Sequence, residues 1–351
     1  MPAPFRLTTP APPDSLTGRS AAVYAQLATD FGVWRAPTFA VLSPAPDLLA
    51  ATWAVLRESL LAGRASRTAK ELVALGVSQA NRCPFCVDAH TVLLHATGDH
   101  RLAETAARGG TPADPEHAAL LAWGRATRTG LGPDASGAAA DRPFDDAAAP
   151  EFVGTALAFH FINRMVSALL GDDMMPAGLQ RLRVVRSAGG RALARTVRRE
   201  LRPGESLPLL RGVPAGRPPY WAGDAPVGTA FAALRTAAGR GGERLGEQAR
   251  EAVAAAVDAW DGSHPPLGDG WITRWTAALP AGRRPAARLV LLAALAPYRI
   301  TEADAEAWRA ADPDPYDADL VRLLAFGAHL AVSRIETSIQ RPFQRARLTG
   351  H

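Results

Sequence analysis

Cysteine is nearly absent from this sequence: 351 residues contain two, Cys83 and Cys86. A disulfide scaffold is therefore excluded, and a lone pair three residues apart reads as catalytic or metal-binding rather than as a structural staple. Lysine is scarcer still. Lys70 is the only one, so arginine supplies almost all of the 39 basic residues. Together with 31 glycines, 29 prolines and many alanines this reads as a compositional bias of the coding sequence, so the formal charge of +5 carries no implication of a nucleic-acid surface. Long apolar runs are missing too. The longest, "ARLVLLAALAPY", is too short to span a bilayer and is broken by Pro297. The N-terminal "MPAPFRLTTPAPPDSLTGRS" has prolines where a secretory signal carries its apolar segment, so no export address is read and a cytoplasmic location is expected. Alternating Val/Ile/Thr runs bounded by turn residues are nearly absent, which argues against a sheet-based fold.

What is present is helical. With 48% hydrophobic and 21% charged residues, the chain has core material for one large domain or two ordinary ones. "PDLLAATWAVLRESLLAG", "TAKELVALGVSQANR", "PEHAALLAWGRATRTG", "EFVGTALAFHFINRMVSALLG" and "GEQAREAVAAAVDAWDG" each repeat apolar residues at spacings of three and four. An all-α fold is predicted. Trp123, Trp271, Trp275 and Trp308 read as core or interface packing. Two stretches without a period read as loops: residues 130–151, rich in Gly, Ala, Asp and Pro, and residues 201–226, rich in Pro and Gly. The predicted division is a catalytic domain over 1–178, a basic and Pro/Gly-rich linker over 179–225, and a second helical domain over 226–351. Before the Pro/Gly-rich part, "LQRLRVVRSAGGRALARTVRRELR" concentrates arginine. Lacking aromatic interleaving, it reads as a solvated helix face rather than a polyanion patch.

An internal repeat is also visible. Glu71 to Asn81, "ELVALGVSQAN", aligns with Arg288 to Tyr298, "RLVLLAALAPY", and "LLAWG" from Leu120 aligns with "LLAFG" from Leu323. In this register Glu71 corresponds to Arg288, Cys83 to Ile300, Cys86 to Ala303 and His90 to Ala307. The second copy would have kept its packing and lost its chemistry.

The chemistry sits in "RCPFCVDAH", Arg82 to His90. Proline is favoured at the first helical position, which places Cys83 at the N-cap and Cys86 at the third position of a helix. Both sulfurs then lie at the positive end of the helix dipole, an environment that favours thiolate. Cα atoms three apart at a helix start lie about 5–6 Å apart, within the range a disulfide needs, so the pair can cycle between dithiol and disulfide. His90, four residues after Cys86, shares its face and is a candidate general base. A zinc site from Cys83, Cys86, His90 and His95 is disfavoured because His95 points about 140° around the helix from His90. A thioredoxin-type C-P-x-C is disfavoured because the preceding segment is helical. Glu71, twelve residues before Cys83, has two readings. It orients His90 and raises its basicity, or it closes a capping box with Thr68.

"ELVALGVSQANRCPFCVDAHTVLLHATG" resembles the E-x11-C-x2-C-x3-H signature of the alkylhydroperoxidase D-like proteins of the carboxymuconolactone decarboxylase superfamily, with Glu71, Cys83, Cys86 and His90 in the matching positions. "PTFAVLSPAPDLLAATWAVLRESLLAGRASRTAKE" and "FHFINRMV" extend the likeness over about residues 30 to 175. The resemblance implies an all-helical fold with a helical hairpin around the C-x2-C, in a homo-oligomer; the chain departs from it in being longer than one such domain, and the degenerate second copy is read from the internal repeat alone. It implies a thiol-dependent peroxidase in which Cys86 attacks the hydroperoxide, Cys83 resolves the sulfenic acid to a disulfide, and His90 with Glu71 relays protons. An external dithiol or disulfide reductant would reset the pair, with no cofactor, metal, nucleic acid or membrane. A departure is Phe85, which stands where the best-known peroxidase members have histidine. Phe85, His160 and Asn163 are the candidate residues lining the site, with Arg164 sharing the face of His160 and Asn163. The competing reading is a non-enzymatic redox-responsive interaction protein or a protein disulfide reductant.

Overall fold

In the computed structural model, residues 5–33, 35–129, 142–173 and 176–348 are described. Most of the segment 130–151, expected to be a loop, lies outside the described residues. The described residues are helical, without a β-ladder; their sole extended pairing is an isolated bridge between Phe5 and Leu170. The order begins with α1 (Gly18–Gln26), the single turn α2 (Pro37–Ala40), α3 (Pro46–Leu56), α4 (Arg67–Ala80) and α5 (Pro84–Thr97). It continues with α6 (His100–Ala107), α7 (Pro115–Ala126), α8 (Ala149–Leu169) and α9 (Arg183–Val197). The C-terminal half comprises α10 (Pro226–Gly239), α11 (Glu247–Asp258), α12 (Gly270–Thr276), α13 (Arg284–Leu295), α14 (Glu302–Ala311) and α15 (Asp317–Leu348).

Local chemistry sets the ends of these helices. Ser66 caps α4 by accepting the amide of Ala69 at 3.1 Å, and Asp114 caps α7 by accepting that of His117 at 2.9 Å, with Pro115 at the first helical position. Capping begins at Ser66, so Thr68 lies inside the helix and Glu71 is not part of a capping box. The turn from α4 to α5 is a left-handed stop. The amide of Cys83 reaches back to Ser78 O and that of Arg82 to Gln79 O, while Arg82 takes φ +54°, a place glycine ordinarily fills. This turn folds α5 back along α4, as the C-x2-C hairpin requires.

The α8 helix is the axle of the bundle and packs against α4 on one side and α13 and α15 on the other. It is long and apolar enough to cross a membrane by length and composition, yet its apolar stretch is wholly covered by protein. One apolar core runs from Leu7 through both halves to Ile339, with Trp53 and Trp308 among its largest buried members. At about 1.5–3 kcal/mol for each fully buried large aliphatic side chain, this shared core couples the two halves energetically. Trp123 and Trp308 are buried as expected, and Trp271 and Trp275 are partly buried against the same core.

Two segments pack more closely on the bundle than their composition suggests, although Arg183, Arg191 and Arg195 of the first are exposed, as a solvated helix face should be. The arginine-rich stretch is largely α9, packed lengthwise on α5. Gly190 permits this approach, because a Cβ there would stand 2.6 Å from His95 Cβ. The Pro/Gly-rich segment after it is packed as well. Its backbone is tied to the buried Glu58, which accepts from Ser206 N at 3.1 Å, and to the buried Arg57, which donates to Arg202 O at 3.0 Å. An apolar surface under these residues and a charged anchor together order a stretch whose composition alone suggests a connector.

The repeated motifs make the same contact twice. A Cβ on Gly124 of α7 would stand 2.6 Å from the carbonyl oxygen of Val73 on α4, and one on Gly327 of α15 would stand 2.4 Å from that of Val290 on α13. Val73 and Val290 are partners in the register of the sequence repeat. Where α4 presents Glu71 to α5, α13 presents Arg288, which pairs with Asp304 of α14 at 2.6 Å.

Candidate active site

Cys83 occupies the N-cap of α5 and Pro84 its first position, so Cys86 falls in the first turn. Both cysteines are free thiols and both are buried, Cys83 completely. Cys83 and the amide of Asn163 on α8 are the polar neighbours that act on Cys86. Burial pushes the Cys86 thiol well above its usual range and the neighbouring Cys83 adds to this, while the Asn163 amide opposes it. The helix start alone therefore does not yield a thiolate, contrary to the expectation from position. A base and a donor are needed.

A candidate base stands one turn along. His90 Nδ1 lies 2.5 Å from Glu71 Oε2, and the other carboxylate oxygen, Oε1, accepts from Arg67 Nε at 2.7 Å. Glu71 is fully buried, which by itself would raise its carboxyl. The charge of Arg67, together with His90, outweighs that cost and holds the group below the usual carboxylate range. An ionised Glu71 takes the Nδ1 proton of His90 as its hydrogen bond, leaving Nε2 as the lone-pair nitrogen. The ring of Phe159 meets His90 edge to face at 4.5 Å and fixes its plane.

Cys86 and His90 open onto one cavity of about 200 Å³. Its wall is almost wholly apolar and includes Phe39, Trp53, Leu60, Phe85, Phe159 and Leu193. Its size exceeds the roughly 150 Å³ of a dry cavity that accepts benzene. Phe85 lines it as expected. His160 does not; Phe159 and Ile162 form that side of the wall instead. His160, Asn163 and Arg164 share a helix face and none of them lines the cavity; His160 and Asn163 meet at Asn81, and Arg164 turns away. The amide of Asn163 acts on Cys86. His160 is enclosed between Asn81 (Nδ1 to Nδ2, 3.1 Å) and Thr127 (Nε2 to Oγ1, 2.8 Å). Arg164 points into the C-terminal half, where Nε donates to Ala294 O at 2.8 Å. His95 is turned to His100 and Glu104, at 2.7 and 3.0 Å.

Comparison with known proteins adds to this geometry. Residues 46–126 match the model of the carboxymuconolactone decarboxylase family. The chain is also similar to the alkyl hydroperoxide reductase Rv2159c of Mycobacterium tuberculosis (strain ATCC 25618 / H37Rv), 40% identical over 333 residues, which cover 94% of this chain and 93% of that one. The chain belongs to the carboxymuconolactone decarboxylase family. No solved structure matches it. The family match spans α3 to α7, and so contains Glu71, both cysteines and His90 but neither Asn163 nor the α9 wall of the cavity. Sequence reasoning missed Arg67, Asn81 and Arg128 around this family hairpin. The i, i+4 spacing of Arg67 and Glu71 was a usable signal; Asn81 and Arg128 left none, because their partners are distant in sequence.

Proposed function

We propose that this protein is a thiol-dependent hydroperoxide reductase acting through a Cys83/Cys86 dithiol–disulfide cycle. The observation that carries the reading is the convergence of Cys86 and the Glu71-backed His90 on one apolar cavity. The name of the Mycobacterium relative supports the same chemistry. Nε2 of His90 takes the Cys86 proton, and the thiolate sulfur attacks the terminal oxygen of R–O–O–H. The O–O bond breaks, sulfur acquires the hydroxyl as a sulfenic acid, and the alkoxide leaves with the proton from His90 as an alcohol. Cys83 then attacks the sulfenic sulfur, releasing water and closing the disulfide. An external dithiol reduces it by exchange and returns both thiols.

The apolar wall favours an organic hydroperoxide, whose carbon body it would desolvate, over hydrogen peroxide. The burial of Cys83 and Cys86 disfavours direct attack on a disulfide of a folded protein. The C-terminal half is proposed to be a degenerate copy retained for packing, and the working form a homo-oligomer. The test is dithiol-dependent consumption of an organic hydroperoxide by the intact protein and by Cys86→Ser. Many turnovers per site, lost in the variant, are expected. A single oxidation with no turnover would defeat the enzymatic reading and leave a redox-responsive switch.

A further inference from the structure

Behind the cysteines lies a chain of polar side chains that the reaction above does not use. Arg128, just after α7, is 3% exposed, and no carboxylate among the described residues pairs with it. Its Nη1 donates to Asn81 Oδ1 at 3.0 Å and its Nη2 to His264 Nδ1 at 3.2 Å, while the Trp260 ring lies 5.0 Å from the guanidinium carbon. His264 in turn is held by its Nε2, which donates to Ala80 O at 3.0 Å. Two side chains of the C-terminal half thus clamp a cation at the back of the thiol site.

The clamp has a chemical consequence. Arginine is a donor only, so Asn81 must turn its oxygen to Arg128 and its nitrogen away from it. That nitrogen donates to Asn163 Oδ1 at 3.0 Å and to His160 Nδ1 at 3.1 Å. With its oxygen occupied, Asn163 directs its own nitrogen to Ser78 Oγ at 3.2 Å, and its amide acts on Cys86 in the sense of a donor, lowering the thiol pKa. A reversed Asn163 would present a carbonyl oxygen to the sulfur and favour the protonated thiol instead.

We propose that Arg128 is a positioning residue of the thiol site: by fixing the polarity of Asn81, and through it Asn163, it keeps an N–H donor aimed at Cys86 and favours the thiolate. The inference rests on the proposed function only for its catalytic consequence; the effect on the thiol stands by itself. The titratable groups facing Cys86 are Cys83 on its own helix and His90 with Glu71 at the shared cavity. Arg164 and Arg82 stand near Arg128 and add to the positive field behind the amides, which the Asp261 carboxylate offsets in part.

The experiment is the midpoint pH of iodoacetamide alkylation of Cys86, in a Cys83→Ser background so that one thiol remains. Arg128→Met should raise the midpoint by about 0.5–1 unit, about three- to tenfold less thiolate at fixed pH, and Arg128→Lys, which still offers only donors, should recover most of it. Asn163→Ala should raise it comparably, and Arg128→Met added to Asn163→Ala should raise it no further. An unmoved midpoint in folded Arg128→Met overturns the proposal, as does a fully additive rise, which a charge acting through space would give. If Arg128→Met does not fold, Asn81→Leu breaks the same chain and must produce the same rise; no rise there overturns the proposal equally. Hydroperoxide turnover of the intact protein is measured alongside. A shifted midpoint without turnover sinks the peroxidase reading and spares this one, and turnover with an unshifted midpoint does the reverse.

Discussion

Glu71 Oε2 and His90 Nδ1 stand 2.5 Å apart, although they belong to different helices and lie 19 positions apart in the chain. The left-handed turn at Arg82 creates this pairing by doubling α5 back on α4. Glu71 is thereby committed to the site rather than to the start of its own helix, which Ser66 already caps.

Glu71→Gln keeps the side-chain shape and removes the charge. The expected result is a fall in kcat/KM of about 10–100-fold, because an amide would not stabilise the imidazolium that the proposed transfer of the thiol proton to His90 creates. Stability should fall by about 1–3 kcal/mol, since Arg67 loses its charged partner. Steady-state kinetics and a thermal melt on the same preparation separate the two effects; a lower Tm with an unchanged rate would make Glu71 purely structural.

Leu193 projects from α9 into the cavity wall. Leu193→Trp should fill the space and raise KM for a bulky aromatic hydroperoxide by about tenfold or more, with hydrogen peroxide affected by about twofold at most. Equal losses for both substrates would mean that the cavity is not the route to Cys86.

Acid should destabilise the fold before the carboxylates titrate. Burial, then the charges of Arg164 and Arg128, push His160 well below its usual range, so it stays neutral in the folded state. In the unfolded chain it protonates below about pH 6.5. The unfolded state then binds the extra proton, and stability falls as pH decreases from there, by up to about 1.4 kcal/mol per pH unit from this residue. Denaturant midpoints between pH 7.5 and pH 5 should decline in the native protein and decline less in a folded His160→Gln variant, a slope comparison that tests the assignment.

Helix contacts through glycine predict a graded response. Gly124→Ala and Gly327→Ala each force a methyl against a carbonyl oxygen and should cost about 1–3 kcal/mol or more. Gly239→Ala, at the open end of α10 with nothing within 4 Å, should be neutral or stabilising by about 0.5–1 kcal/mol. A scan of melting temperatures that ranks Gly239→Ala with the other two would refute the packing argument.

Local rules were enough for part of this molecule. Apolar spacing fixes the helices, and Pro84 after Cys83 fixes where α5 begins, because proline at a first helical turn and two thiols within one turn are short-range facts. Glu71, Cys83, Cys86 and His90 were therefore legible as a set, as was the register that pairs Val73 with Val290 and Gly124 with Gly327, whereas the contact of each valine with its glycine came from the fold. Which way a side chain turns from a buried face was not. His160, Asn163 and Arg164 lie within five residues, yet the first two meet at Asn81, with Thr127 and Ser78 as their further partners, while Arg164 reaches Ala294 on α13. The same holds for the arginine-rich helix, whose composition suggests solvent but whose Gly190 lets it close on α5 and wall the cavity. Periodicity identifies a face, whereas the direction of a hydrogen bond and the shape of a cavity depend on groups that meet only when the whole chain has folded.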